Sequence, residues 1–226
     1  MFEADVEAAM LVLIKGELKP ESLDWILEQG EKVRAGASAG QLSRIFAQVP
    51  RYASKHIISH AVLLEKGFSN QIVELLQDWT VDTLCRVWVL LQIPGHDKSN
   101  YLKNIDALFE TAEMNELVAL YNALPLLNYP EYLIKRCEEG IRSNIGLVLE
   151  AIIYHNTYPA AWLNEAAWNQ LVLKAFFTEK DVNKIHQLEA RMNPALISTL
   201  EDYVKERQAA GRTVDPQLYK LINITA

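Results

Sequence analysis

Apolar residues recur at helical spacing along almost the whole chain, and the breaks between these runs are short and marked by proline, glycine or a capping residue. Runs with strict period-two alternation are missing, and so are the Asn-Gly and Asp-Gly dipeptides of tight hairpins. A chain patterned this way has few routes to a core other than packing helices on one another. In "KPESLDWILEQGEKVRAG" Pro20 stands at a first helical position, Leu23, Ile26 and Leu27 follow at helical spacing, and Gly30 and Gly36 are expected as stops. "SAGQLSRIFAQVP" repeats the scheme, with Ser38 as cap and Pro50 as breaker.

"RYASKHIISHAVLLEKGF" is the least periodic stretch and reads as a connector with a short helix ending near Gly67. From Ser69 the helices follow closely. "TVDTLCRVWVLLQIPG" is apolar enough to lie at a bundle centre and ends at Pro94-Gly95. Asn193-Pro194 and Asp215-Pro216 each place a capping oxygen before a proline at the first helical position. The expected fold is all-α, an irregular multi-helix bundle or a short α-solenoid of antiparallel helix pairs. No linker divides the chain, so residues 1–226 read as a single all-helical domain, or as two closely packed helical layers.

At 226 residues the chain can bury a large core without disulfides or metal. Its 22 basic and 29 acidic residues give a formal net charge of -7, the wrong sign for holding phosphate backbones, so nucleic acid is not an expected partner. Cys85 and Cys137 both lie in apolar runs, which fits a reducing cytoplasm rather than a disulfide framework or a cysteine zinc site. The N-terminus carries acidic residues where a signal peptide needs basic ones, and its apolar run from Ala8 to Ile14 is far below the roughly 20 residues of a membrane span. No membrane insertion is expected.

Signatures of common catalysis are absent: there is no phosphate loop, no GxGxxG, no GxSxG elbow and no HExxH. "HIISH" puts His56 and His60 four apart, in metal-ligand spacing if helical, but without a nearby acidic third ligand, so no metal and no cofactor are expected. The informative segment is "AWNQLVLKAFF", apolar almost all round a helix and yet carrying Asn169, Gln170 and Lys174. Asn169 falls inside the apolar arc and reads as buried, which requires partners for its amide. Lys174 either runs its stem over apolar atoms to reach water or is buried beside a carboxylate, for which Glu150 in "LVLEAII" is the nearest candidate. Arg142, Asn144, Asn156, Tyr158, Arg191 and Asn193 flank these positions. Two readings are open: a polar network joining helix ends, or a ligand pocket walled by Tyr154, Trp162, Trp168, Phe176 and Phe177. In either case Glu150, Lys174 and Arg191 are expected to converge in one polar cluster.

The stretch "EEGIRSNIGLVLEAIIYHNTYPAAWLNEAAWNQLVLKAFF", followed by "LEARMNPALISTLEDYVKERQAAGR", resembles the EboA family of bacterial proteins. The likeness rests on the spacing of its Arg-Ser-Asn, Asn-x-Tyr-Pro, Ala-Trp-Asn-Gln, Leu-Lys-Ala-Phe-Phe and Asn-Pro elements and extends from about residue 105 to residue 212. Thr157 and Leu171 depart from the pattern, which often reads proline and methionine there. The resemblance implies a cytoplasmic accessory protein of a bacterial secondary-metabolite pathway, supporting precursor synthesis or export. Its partner would be a small-molecule intermediate or a pathway enzyme. Arg142, Asn144, Glu150, Asn156, Tyr158, Trp168, Asn169, Lys174 and Arg191 are then the candidate ligand-binding residues, and Gln170 and Asn193 also match recurring positions. No catalytic role comes with the resemblance. The alternative is an enzyme acting on the same intermediate, with Glu150 and Lys174 as acid and base.

Overall fold

The computed structural model describes residues 2–223 and is all-helical, with neighbouring helices packed antiparallel. Among the described residues no strand forms; two isolated antiparallel bridges, Ile57 with Thr80 and Tyr154 with Ile185, are the extended pairings present. The helices group into two compact units, divided between Leu133 and Ile134.

The N-terminal unit contains α1 (Phe2–Glu17), α2 (Pro20–Arg34), α3 (Ala39–Gln48), α4 (His60–Glu65), α5 (Asn70–Leu76), α6 (Val81–Leu90), α7 (Lys98–Thr111) and α8 (Met114–Ala123). Each of α1, α2 and α8 packs on α6, and every residue of α6 is buried. Total burial of this helix includes a charged pair. Arg86 donates from Nη1 to Asp82 Oδ2 at 2.7 Å and from Nε to the Phe46 carbonyl in the last turn of α3 at 3.1 Å. Thr80 Oγ1, at the N-cap of α6, donates to the other Asp82 oxygen at 2.6 Å. The pair is therefore held inside a larger set of hydrogen bonds, which a buried ion pair needs to offset its desolvation.

Pro20 opens α2 as expected, and Ser38 caps α3, with the Gln41 side chain accepting from the Ser38 amide. Gly30 corrects an expectation. It lies inside α2 rather than ending it, because the Trp88 ring packs directly on it: a Cβ there would stand 2.6 Å from ring carbons. The stop is Gly36, at φ 103°. The connector contains the short α4, and Gly67 follows it at φ 69°. His56 lies before that helix in extended chain, with Nδ1 at 2.5 Å from Ser54 Oγ and Nε2 at 2.9 Å from Glu17 Oε2, while His60 is the first residue of α4. The two imidazoles do not share a helical face.

The C-terminal unit contains α9 (Ile134–Arg142), α10 (Gly146–Ile153), α11 (Tyr158–Trp162), α12 (Glu165–Phe177), α13 (Pro194–Ala209) and α14 (Pro216–Asn223). The central α12 packs on α9, α10 and α13, and buries Trp168, Leu171, Val172, Ala175 and Phe176. Asn193 caps α13, accepting from the Leu196 amide at 2.9 Å, and Asp215 accepts from the Gln217 amide at the same distance. The short α11 was not expected from the sequence; its five residues contain a proline and end at a residue that reads as an aromatic wall.

Each unit holds one cysteine, Cys85 in α6 and Cys137 in α9, both free and buried. Burial pushes the Cys85 thiol up to about 12 and raises Cys137 as well. No helix among the described residues is long and apolar enough to cross a membrane.

Gly30→Ala tests the Trp88 contact. Alanine gains about 1 kcal/mol in helix propensity, but overpacking a core costs about 1–3 kcal/mol, so the urea midpoint should fall. Arg86→Met should cost more stability, about 3–5 kcal/mol read from the same urea titration, because Asp82 loses its buried partner.

Candidate functional site

The polar residues of α12 are held by helix ends. An α-helix leaves its last carbonyls without intrahelical donors, and inside a protein those oxygens need partners. Lys174 supplies them for α9: its Nζ donates to the carbonyls of Ile141 and Ser143, each at 2.5 Å. Burial holds the ammonium below the ordinary lysine range, while the negative end of the α9 dipole favours the cation. Arg191 does the same for α11. Nη1 donates to Pro159 and Ala160 and Nη2 to Leu163, at 2.9–3.0 Å, with the guanidinium 4.5 Å from the centre of the Trp168 ring. Burial lowers the Arg191 pKa, and nearby Glu165 opposes that shift. Trp168 is 1% exposed, and its indole N–H has no hydrogen-bond partner among the described residues.

Asn169 is half-buried rather than buried. It faces Asn193 in a reciprocal amide pair, Asn169 Nδ2 to Asn193 Oδ1 at 3.1 Å and Asn193 Nδ2 to Asn169 Oδ1 at 2.8 Å. The same Asn193 oxygen caps α13, so one side chain ties the middle of α12 to the start of α13. Asn156, buried, makes the turn into α11: Nδ2 donates to the Ala151 carbonyl and Oδ1 accepts from the Tyr158 amide. Tyr158 is buried as well. Arg142 is exposed and 3.9 Å from Glu138, and Asn144 is exposed in the connection to α10.

The expected convergence of Glu150, Lys174 and Arg191 does not occur. Lys174 takes the α9 carbonyls, Arg191 the α11 carbonyls, and Glu150 pairs at 2.6 Å with Lys180. Main-chain oxygens compete successfully for cations wherever a helix end is packed against the same side chain. Trp168, Asn169, Arg191 and Asn193 do form one cluster. The aromatic wall is divided: Trp168 and Phe176 are buried, whereas Trp162 and Phe177 are exposed, Phe177 by 68%.

A cleft of about 540 Å³ opens beside the C-terminal end of α12. Phe176, Tyr203 and Leu218 contribute its apolar surface, and Lys180, Asp181 and Arg207 contribute charge. None of the nine candidate residues lines it, although Glu150 reaches it through Lys180. A second cleft of about 440 Å³ shares the walls Glu179, Tyr203, Arg207 and Thr213 with the first. Sequence reasoning passed over these positions because "TEKD" after α12 and "DYVKER" in α13 look like solvated polar surface. The Tyr203/Arg207 spacing, one helical turn apart, was the signal available.

Two helix ends adjoin the clefts. α12 ends in a Schellman motif, Lys180 N–H donating to Ala175 O and Glu179 N–H to Phe176 O, with Glu179 at φ 55°. α13 ends in the same motif, Arg212 N–H to Arg207 O and Gly211 N–H to Gln208 O, with Gly211 at φ 64°. Glycine takes the left-handed conformation without penalty and glutamate does not.

Among the described residues no group of His, Cys, Asp or Glu is placed to hold a metal ion. The site so defined is a cleft of small-molecule size on an all-helical frame, without a constellation that specifies a reaction. The chain matches the family described as metabolite traffic protein EboA over residues 6–223 and belongs to that family. Comparison with curated proteins and with solved structures yields no match.

Lys174→Met strands two carbonyls, and Asn169→Leu removes both amide bonds to Asn193. Each should lower stability by about 1–3 kcal/mol, read from urea midpoints. Unchanged midpoints would show that these bonds do not hold the helix ends.

Proposed function

We propose that the protein serves its metabolite pathway as an accessory binding protein, holding a small-molecule intermediate in the cleft beside α12, α13 and α14 and supporting synthesis or export of a precursor. The carrying observation is the cleft itself: about 540 Å³, lined by aromatic and aliphatic side chains together with charged groups. That volume lies within the range of roughly 300–1,000 Å³ typical of small-molecule sites. Membership in the metabolite traffic family supports the assignment to such a pathway.

The nine residues that match the family pattern enter this reading mainly as the frame. Lys174, Arg191, Asn156 and Asn169 spend polar atoms on the chain's own carbonyls and amides, and Glu150 anchors Lys180 at the cleft wall. The separate partners of Glu150 and Lys174 weigh against their acting together as acid and base. A bacterial cytoplasm, with pathway enzymes as neighbours, suits the two free buried thiols.

Native mass spectrometry of protein purified from its own host tests the proposal. A bound small molecule should accompany the native chain and be lost from Val214→Trp, which fills the cleft, while the melting temperature stays within a few degrees. A chain that isolates empty, or a Val214→Trp variant that keeps the molecule, would count against the cleft.

A further inference from the structure

Arg207 stands in the wall common to both clefts, and its position there is unusual for a cation. Its side chain is only 19% exposed. Nε and Nη2 both donate to the Thr213 carbonyl, at 3.0 and 2.8 Å, which fixes the guanidinium against the α13–α14 connection. Nη1 has no hydrogen-bond partner among the described residues. The carboxylate paired with it among the described residues, Glu179, is 3.7 Å away and 78% exposed, whereas strong guanidinium–carboxylate contacts close to about 2.7–2.9 Å. A half-buried arginine side chain is thus countered by a distant, solvated carboxylate. Glu179 is also held in a backbone conformation that favours glycine, the residue that the matching end of α13 uses.

The charged groups around the smaller cleft are Glu179, Glu206, Arg207 and Arg212. Displacing Glu179 would leave two guanidiniums with one carboxylate in that lining. In the larger cleft, by contrast, Asp181 already accepts from Asn183 and Asp215 from Gln217, and Lys180 is paired with Glu150. Apolar surface from Phe176 and Leu218 lies on that side.

We propose that the smaller cleft binds the oxyanion group of an amphipathic ligand, with Arg207 and Arg212 as its cations. Glu179 occupies Arg207 until the ligand displaces it, and the apolar body lies in the larger cleft against Phe176 and Leu218. This rests on the reading of the larger cleft as a small-molecule site. Arg207, fixed by Thr213, needs no reordering to receive an oxyanion, so the contact loses little conformational entropy. Binding should weaken with salt, as expected for a contact at the protein surface.

Two probes with the same aromatic body test it: 8-anilinonaphthalene-1-sulfonate, an anion, and N-phenyl-1-naphthylamine, which is neutral. At low ionic strength the full-length protein should bind the sulfonate about tenfold more tightly, a difference of about 1.4 kcal/mol. Glu179→Gln should tighten the sulfonate severalfold and leave the neutral probe unchanged. Arg212→Gln should weaken the sulfonate alone; it replaces an Arg207 variant, since Arg207 also holds the Thr213 carbonyl. Equal affinities, or a Glu179→Gln variant with unaltered sulfonate binding, overturn the oxyanion site. If the neutral probe still binds and Val214→Trp removes it, the small-molecule cleft stands while the oxyanion site falls. If neither probe binds, the oxyanion site is overturned, and the co-purified mass decides the cleft on its own.

Discussion

Helix-end carbonyls set the terms on which this structure is assembled. The fourteen α-helices among the described residues, many of them short, create many chain ends, and the last oxygens of each must find donors outside their own ladder. Four cations answer that need. Arg86 takes the Phe46 carbonyl at the end of α3, Lys174 the end of α9, Arg191 the end of α11, and Arg207 the connection after α13. Each bond is charge-assisted and lies near the negative end of a helix dipole or in a turn rich in carbonyls, where a cation gains most. Short helices are marginal alone and depend on tertiary packing, to which such ties add.

Features governed by local chemistry were legible from residues alone. Pro20, Ser38, Asn193-Pro194 and Asp215-Pro216 act where they stand, because a cap or a fixed φ needs only its own neighbours. The totally buried α6 announced itself by an unbroken apolar run. What escaped depended on partners remote in the chain. Gly30 reads as a helix stop until Trp88 arrives on top of it. Lys174 reads as a partner for Glu150 because side chains are visible in a sequence and unpaired main-chain oxygens are not. The cleft residues Lys180 and Arg207 look like surface, and only the return of the chain through α13 and α14 encloses them.

The frame and the cleft are distinct in residues but continuous in structure. Asn193 joins α12 to α13 through Asn169, and the two helices it joins supply Phe176, Tyr203 and Arg207 to the cleft. Glu150 holds Lys180 at the wall, and Lys180 Nζ lies against Gly146, where a Cβ would stand 3.3 Å away. A substitution in the frame can therefore change the cleft without touching anything that it contains. The recurring polar pattern and the cleft lining need not be the same set of residues for one to depend on the other.

The buried thiols give the molecule a pair of internal reporters. Cys85 belongs to one compact unit and Cys137 to the other, and both are sealed by packing with the thiol rather than the thiolate favoured. An alkylating reagent reacts with the thiolate, so labelling near neutral pH must wait for the surrounding helices to part. The rate at each cysteine then reports how populated the open form of its own unit is, as long as reclosing outpaces the reagent. Peptide mapping of a single labelling time course separates the two, giving the local opening free energy of each half of the chain without any engineered probe.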